Sequence, residues 1–281
     1  MPAPTLVGLY FSKGKQNMTM LVNHINMMEV TLPVINMYPQ PKNDYPLSNQ
    51  LLLGERVQII EQIENKHGCF YKAQAEQDGY QGFVKQKGLA TAHKNQAEWF
   101  VDVQTTLLFE HSNIKSRHIA TLGFASQIQQ GRVENDLMET PLGWVCIKHL
   151  RSKNKFANNP AQIAKKMLHM PYLWGGRSHQ GIDCSALIQH ALAACKIKAP
   201  RDSAMQQQAD IGTQINFEHI DQLKDNDLLF WPGHVAIIAD HQILHANQGS
   251  MQTSFEDLQT GLLRIGKACK SNQPIICRLN I

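Results

Sequence analysis

The sequence of 281 residues predicts an α+β protein in which two small β barrels precede an α+β domain with an antiparallel sheet. From residue 30 to about residue 150, short apolar runs are separated by Gly, Pro, Asn and Asp. This pattern is typical of all-β structure. From about residue 154, helical periodicity comes first and strand-like runs follow, an order that indicates an α+β domain.

The all-β half divides into two segments. Candidate strands of the first segment are Val30–Ile35, Leu51–Leu53, Val57–Ile63, Cys69–Ala73 and Gly82–Val84. Those of the second are Phe100–Val103, Thr106–Phe109, Ala125–Ile128 and Trp144–Ile147. We therefore predict an N-terminal arm at residues 1–29, a first barrel at 30–92 and a second barrel at 93–152. One larger β domain is the alternative, because the repeat between the segments is weak.

The remaining segment, residues 153–281, begins with helices. Pro160 suits the first turn of a helix over Ala161–Met170. A second helix is predicted at Cys184–Ile197, where apolar residues recur at helical spacing, and His190 falls outside that stripe on the expected surface. Strands are predicted at Asp227–Trp231, His234–Asp240 and Gln242–Asn247.

Composition excludes several classes of protein. Hydrophobic residues make up 43% and charged residues 18%, which excludes a wholly disordered chain. The net charge of +4 is not concentrated in any basic cluster, so no nucleic-acid partner is expected. Six cysteines without a Cys-x-x-Cys pair exclude a disulfide scaffold and a zinc ribbon. No apolar run is long enough for a membrane helix or a secretory signal, so we expect a cytoplasmic protein without a membrane partner.

Cys184 is the candidate nucleophile. A loop punctuated by Gly175, Gly176 and Gly181 delivers it to the start of the second helix. The free N–H groups at a helix start carry partial positive charge, which favours a thiolate and offers donors to an oxyanion. The alternative, a small buried apolar residue, is the usual fate of a free cysteine and is assigned to the other five.

Two histidines are the candidate partners of Cys184. If Asp240 and His241 form a two-residue hairpin turn, Ala236 lies opposite His245 and His234 becomes its diagonal neighbour on the same face. That placement suits a general base and the residue that orients it. A three-residue loop would instead turn His245 to the other face. A zinc site that includes His241 is a weaker alternative, because the turn holds this residue apart.

Six ordered motifs resemble the NlpC-type cysteine peptidases, a papain-like family that cleaves bacterial cell-wall peptides. They are Pro171–Gly176, Gly181–Leu187, Pro200–Gln207, Asp225–Trp231, Gly233–Ile238 and Ile243–Met251. Upstream, Leu51–Glu61 and Asp78–Val84 look like the first bacterial Src-homology-three-like barrel of one branch of this family. That branch, the γ-D-glutamyl-L-diamino acid endopeptidases, carries two such barrels before the catalytic domain.

The resemblance implies a role for each matching position. Cys184 would be the nucleophile, His234 the general base and His245 the residue that orients it, while Tyr172 would assist with the oxyanion. The residues implied to line the pocket for a free N-terminal L-alanine are Tyr80, Asp183, Ser185 and Ser203. The resemblance implies neither a cofactor nor a metal.

The implied reaction is hydrolysis of the bond between γ-D-glutamate and the diamino acid of murein peptides, in cell-wall peptide recycling. Ala186 departs from the glycine usual after the Asp-Cys-Ser run, so its methyl group is expected to narrow the groove or alter specificity. Two alternatives remain: a cell-wall-binding protein with a vestigial catalytic domain, and an acyltransferase or amidase that uses the same Cys–His pair.

Overall fold

The computed structural model describes residues 26–93, 97–217, 219–271 and 273–281. The predicted N-terminal arm therefore lies outside the described residues, except for residues 26–29. These four residues belong to the first strand and pair within the first sheet, so this sheet begins earlier than the predicted boundary at residue 30.

The first sheet has seven strands in the order β3-β2-β6-β5-β4-β1-β7. The strands are β1 (Asn26–Val30), β2 (Val34–Tyr38), β3 (Asn49–Leu52), β4 (Arg56–Asn65), β5 (Gly68–Ala75), β6 (Gln81–Lys85) and β7 (Leu89–Thr91). The single strand predicted over Val30–Ile35 is in fact two, because the chain turns at residues 31–33. Pro33 has no N–H to donate to a sheet, which explains the break.

The second β unit, residues 99–152, contains two smaller sheets in the orders β10-β9-β14-β13-β12 and β11-β8-β15. Its strands are β8 (Trp99–Val101), β9 (Thr105–Phe109), β10 (His118–Gly123), β11 (Gln127–Ile128), β12 (Val133–Glu134), β13 (Leu137–Thr140), β14 (Gly143–Cys146) and β15 (Leu150–Ser152). One apolar cluster, which includes Val101, Leu108 and Leu122, lies between them. A second Src-homology-three-like barrel at this place stays a prediction.

The C-terminal unit joins helices to a six-stranded antiparallel sheet in the order β18-β23-β19-β20-β21-β22. Its elements are α1 (Pro160–Lys165), β16 (Arg177–Ser178), β17 (Gly181–Ile182), α2 (Cys184–Ala194), α3 (Ser203–Gln208), β18 (Gly212–Ile215), β19 (Leu228–Trp231), β20 (His234–Ala239), β21 (Gln242–Asn247), β22 (Gln252–Glu256), α4 (Leu258–Ala268) and β23 (Ile275–Leu279). Helix α2 packs across β20 and β21, so the predicted α+β class is confirmed for this unit.

The helices differ from their predicted bounds. Helix α1 ends at Lys165, whereas the predicted helix extends to Met170. The residues that follow include His169, which has a left-handed φ of 67°. Helix α4 was not predicted, although Asp257 caps it and Leu258, Leu262 and Ile265 share one face at helical spacing. Among the described residues no helix is long and apolar enough to cross a bilayer.

The surface position predicted for His190 is wrong. This residue is 3% exposed, and its Nε2 lies 2.9 Å from the carbonyl oxygen of Arg177. Phe124 of the second β unit covers this side of α2, with the two ring centroids 5.6 Å apart. Helical periodicity marks only the face that packs on the helix's own sheet, whereas a neighbouring unit buries the opposite face.

Candidate active site

Helix α2 presents Cys184 at its first position. The carboxylate of Asp183 caps the helix, because its Oδ1 accepts a hydrogen bond of 2.8 Å from the N–H of Ala186. Cys184 is 6% exposed, and its sulfur accepts a hydrogen bond from the N–H of Val235 in β20. The residue before Val235 is His234, so the sequence-predicted nucleophile lies against the strand that carries the predicted base.

Burial governs the charge state of the thiol. Desolvation raises the pKa of Cys184 to about 12, and the negative charge of Asp183 raises it further. The N–H of Val235 and the charge of Arg201 act in the opposite direction with smaller effect. A helix start alone was expected to favour the thiolate, but removal of the sulfur from water outweighs that field. The free protein therefore holds Cys184 as a thiol at neutral pH.

The predicted hairpin is confirmed. Strands β20 and β21 pair with Ala239 opposite Gln242, and the turn residues Asp240 and His241 have φ values of 51° and 57°. This is the left-handed geometry of a two-residue turn. Nε2 of His234 lies 2.9 Å from Nδ1 of His245, so the turn brings the two imidazoles into direct contact.

Both imidazoles are neutral at neutral pH. Burial lowers the pKa of His234 to about 3, and the neighbouring His245 and Arg264 each lower it further. Burial lowers the pKa of His245 to about 4, against an opposing effect of Glu256. His245 contacts Nε2 of His234, so Nδ1 of His234 is the ring nitrogen that this contact leaves unused. Burial thus favours the neutral form of the Cys184 thiol and of both imidazoles.

Tyr172 lies beside the thiol. The preceding residue, Pro171, forms an antiparallel bridge with Gln252 of β22. Tyr172 itself forms a parallel bridge with Ile182, two residues before Cys184. Burial raises the pKa of Tyr172 to about 12, and the nearby Cys184 and Asp183 raise it in addition. The phenol therefore stays protonated and is a hydrogen-bond donor close to the sulfur.

Asp183 is fully engaged by the protein itself. Its oxygens accept hydrogen bonds from the N–H groups of Gly175 and Ala186, from Ser185 Oγ and from both terminal nitrogens of Arg201. The shortest of these, from Arg201 Nη2, is 2.6 Å long. A carboxylate has about four lone-pair sites, so none remains for an added ligand. Asp183 organises the site rather than offering a free charge.

Arg201 connects this cluster to the first sheet. The residue is 2% exposed, and its Nε donates a 2.8 Å hydrogen bond to Oδ1 of Asn49 in β3. Its Nη1 also donates to Ser185 Oγ at 2.8 Å. Gly175 permits the close approach of the two units, because a Cβ there would lie 2.7 Å from the carbonyl oxygen of Leu47. Its φ of 73° also favours glycine.

The first sheet places Tyr80 next to the same cluster. Asp78 joins the two units: its Oδ1 accepts from the N–H of Tyr80 at 3.0 Å, and its Oδ2 accepts from Gln189 of α2 at 2.8 Å. Burial raises the pKa of Tyr80, and the charge of Asp202 raises it next. Asp202 is exposed, and its side chain accepts no hydrogen bond from the backbone of α3. The next residue, Ser203, begins α3 and is partly buried. Asp202 is thus the acidic group beside Tyr80 that faces solvent.

The structure places Tyr172 and Asp183 near Cys184, Tyr80 near Asp183, and His234 against His245, whereas Ser203 only begins α3. Four further residues that the sequence analysis does not single out adjoin them: Arg201, Asp202, Glu256 and Arg264. Arg201 and Asp202 lie inside one of the quoted motifs, which was their available signal. Glu256 and Arg264 carry no local signal, because the position of β22 beside β21 brings them to His245.

The groove near the histidines includes a cavity of about 160 Å³ lined by Tyr172, Trp174, His234 and His245. Trp174 forms part of its wall and is 60% exposed. Ala186 is completely buried in the core of this unit, so its methyl group does not enter the groove. Within the described ranges no three His, Cys, Asp or Glu side chains are grouped to hold a metal ion, and His241 lies in the turn.

A helix that begins at a buried cysteine and packs on an antiparallel sheet carrying two histidines is the arrangement of the papain-like fold. The family model described as NlpC/P60 family matches residues 169–264, and that described as bacterial dipeptidyl-peptidase Sh3 domain matches residues 37–89. The chain therefore contains an NlpC/P60 domain and, ahead of it, a bacterial dipeptidyl-peptidase Sh3 domain.

Two proteins and one solved structure are similar to this chain. It is 28% identical over 251 residues to dipeptidyl-peptidase 6 of Lysinibacillus sphaericus, covering 79% of this chain and 88% of that protein. It is 33% identical over 96 residues to the γ-D-glutamyl-L-lysine dipeptidyl-peptidase of Bacillus subtilis strain 168, covering 34% of this chain and 31% of that protein. The crystal structure of an NlpC/P60 family protein from Bacillus cereus superposes with a TM-score of 0.71 at 18% identity, over 90% of this chain and 99% of that chain, which shows a shared fold.

Proposed function

We propose that the chain is a cysteine peptidase that hydrolyses the bond between γ-D-glutamate and the diamino acid of murein peptides with a free N-terminal L-alanine. The observation that carries this proposal is the contact of Cys184 with the strand of His234, whose Nε2 lies 2.9 Å from Nδ1 of His245. The names of the two relatives, a dipeptidyl-peptidase and a γ-D-glutamyl-L-lysine dipeptidyl-peptidase, support this bond class.

The neutral forms of Cys184 and His234 suggest a mechanism in which proton transfer accompanies attack. His234 Nδ1 takes the proton of the Cys184 thiol as the sulfur bonds to the γ-carbonyl carbon of the substrate. The C–N bond then breaks, and the same proton goes to the departing amine, which leaves a thioester on Cys184. Water hydrolyses the thioester with His234 as base, which restores the thiol and releases the dipeptide carboxylate.

Two donors are available for the oxyanion of this reaction. The backbone N–H of Cys184 lies at the start of α2, where N–H groups have no partner within the helix. The phenol of Tyr172, which burial and the neighbouring Cys184 keep protonated through a raised pKa, is the second. We assign both to the developing charge on the carbonyl oxygen, in a site largely removed from water. His245 orients the imidazole of His234.

We further propose that Tyr80 and Asp202 recognise the free amine of the substrate. Asp202 is acidic, exposed and close to Tyr80, whereas all acceptor sites of Asp183 are in use. Asp183 and Ser185 then shape this pocket through Arg201, and Ser203 lines it at the start of α3. A capped amine would leave the carboxylate of Asp202 without a cation, which disfavours longer peptides.

The domain division at residues 30–92, 93–152 and 153–281, with a second Src-homology-three-like barrel, belongs to this proposal, as does a role in cytoplasmic murein-peptide recycling. The hydrogen bond from the N–H of Val235, next to His234, to the Cys184 sulfur and the contact between the two imidazoles support an active enzyme over a vestigial one. The first sheet contributes Tyr80 and Asn49 to the site, which supports its role as a wall of the substrate pocket.

The test is release of L-Ala-γ-D-Glu from L-Ala-γ-D-Glu-diaminopimelate, followed by mass spectrometry. Cys184→Ala should abolish release, while Cys146→Ala, in the second β unit, should behave as the wild type. The N-acetylated peptide should react at least about tenfold more slowly, and Asp202→Asn should narrow that difference. Full activity of Cys184→Ala would overturn the mechanism, and equal rates for both peptides in the wild type would overturn the amine site.

A further inference from the structure

The carboxylate of Glu256 lies next to His245, and the guanidinium of Arg264 lies next to that carboxylate. Strand β22 places Glu256 opposite Ile243 and Ser254 opposite His245, so Glu256 is the diagonal neighbour of His245 on the same face. Oε2 of Glu256 lies 3.2 Å from Nε2 of His245. Arg264 of α4 holds the carboxylate from the other side, with Nε 2.5 Å from Oε1 and Nη2 2.7 Å from Oε2.

The burial of His245 makes the Glu256 contact significant. His245 is completely buried, and its Nε2 has no aligned hydrogen-bond partner among the described residues. The side chain of Glu256 is 21% exposed, so its negative charge acts on Nε2 with limited screening by water. A negative charge at this distance favours a proton on Nε2 over a lone pair.

We propose that Glu256, held by Arg264, is a positioning residue that selects the tautomers of both histidines and so aims a lone pair of His234 at Cys184. The proposal rests on the proposed peptidase function. A proton on Nε2 of His245 makes its Nδ1 an acceptor. Nε2 of His234, which lies 2.9 Å away, must then carry a proton, which leaves Nδ1 of His234 as the base.

The opposite arrangement would be unproductive. If His245 carried its proton on Nδ1, it would donate to Nε2 of His234, and the proton of His234 would then sit on Nδ1 facing the thiol. The Nδ1–H of His234 and the S–H of Cys184 would then both be hydrogen-bond donors, and His234 could not accept the thiol proton. Misplacement of a proton by loss of an orienting carboxylate is known to reduce turnover strongly in serine peptidases.

Arg264 keeps Glu256 an acceptor. Its hydrogen bonds and charge lower the pKa of Glu256, with further lowering by His245, so the carboxylate is ionised at neutral pH. The titratable and charged groups around this pair are His234 on β20, Glu256 on β22, and Arg264 on α4 with Cys269 beside it. Among these groups, the negative charge is that of Glu256, and it faces Nε2 of His245.

Glu256→Gln tests the selection, because an amide of the same shape can donate as well as accept. We expect turnover to fall about 10–100-fold with KM little changed, by analogy with the loss of groups that orient metal-bound histidines. Glu256→Asp, which remains an acceptor, should recover part of the activity. Glu110→Gln, which alters a similar but exposed ion pair with Arg117, should leave turnover unchanged.

A second measurement reads the tautomers without substrate. In protein labelled with ¹⁵N-histidine, two-bond and three-bond correlations should show His245 protonated on Nε2 and His234 protonated on Nε2, assigned with His234→Asn and His245→Asn. In Glu256→Gln the His245 signals should shift toward the Nδ1-protonated form. Unchanged tautomers in that variant, or His245 protonated on Nδ1 in the wild type, would overturn the proposal.

The two readouts separate the failure of this inference from that of the proposed function. A wild-type protein that does not cleave the tripeptide but shows the expected tautomers would contradict the function and leave the selection standing. Full turnover of Glu256→Gln alongside an inactive Cys184→Ala would contradict the selection and leave the peptidase mechanism intact.

Discussion

The side chains of Cys184 and His234 both respond to burial in the same manner: each is held in its neutral form. Burial raises the pKa of the thiol to about 12 and lowers that of the imidazole to about 3. The field at the start of α2 is real but smaller, since it is worth about 0.3–1 kcal/mol at exposed sites. In the proposed reaction, Cys184 and His234 would therefore start as uncharged groups.

The labelling of Cys184 by iodoacetamide should follow this charge state. Only the thiolate reacts, and its fraction rises about tenfold per pH unit below the pKa of the thiol. Between pH 6 and pH 9 the rate at Cys184, measured by mass spectrometry of its peptide, should therefore rise steeply. A rate that is already high and flat near pH 6 would instead indicate a preformed thiolate–imidazolium pair.

At the scale of elements, the β20–β21 hairpin decides the geometry of the site. Its two-residue turn sets the register that places His234 and His245 on one face, and β22 then adds Glu256 on that face. A one-residue slip would move His245 to the opposite side of the sheet. The turn therefore determines whether the imidazoles of His234 and His245 are in contact.

His241→Gly should stabilise this hairpin. His241 has a φ of 57°, a left-handed conformation that costs a non-glycine residue about 1–2 kcal/mol. The hydrogen bond from its N–H to Oδ1 of Asp225 is retained in the variant. Part of the gain is lost to the greater freedom of glycine in the unfolded chain, so we expect about 1 kcal/mol, seen as a higher Tm. Turnover should not change, and loss of activity would point back to a histidine-bound metal.

At the scale of the whole molecule, a buried polar interface joins the first sheet to the catalytic unit. Arg177 of β16 is 2% exposed, and its Nη1 lies 2.9 and 2.8 Å from the two carboxylate oxygens of Glu55. The same nitrogen donates to the carbonyl oxygen of Gln50 in β3. Together with the Asp78–Gln189 and Arg201–Asn49 contacts, this pair fixes where Tyr80 stands relative to Cys184.

Glu55→Ala should destabilise the molecule by about 3–5 kcal/mol, because it leaves the guanidinium of Arg177 buried without its counter-charge. Calorimetric unfolding should show this loss, and Glu55→Ala combined with Arg177→Met should recover part of it. Glu110→Ala, which breaks an exposed pair, should have little effect. Equal stability of Glu55→Ala and the wild type would show that the interface does not depend on this pair.

Local pattern predicted much of this protein. The helix that begins at Cys184 and the Asp240–His241 turn are short-range features, so periodicity and turn chemistry predicted the start of α2 and the contact of the two histidines. The strand runs 234–239 and 242–247 were found for the same reason. The resemblance added Tyr172 and Tyr80, which no spacing argument would have connected to Cys184.

Long-range packing determined the rest. Arg201 pairs with Asp183 across 18 positions and with Asn49 across 152, and Glu256 reaches His245 because β22 folds back onto β21. The burial of His190 and the high pKa of Cys184 likewise arise from units that cover them in three dimensions. A sequence pattern reports which face of an element is apolar, but charge states and polar partners depend on what the folded chain brings against that element.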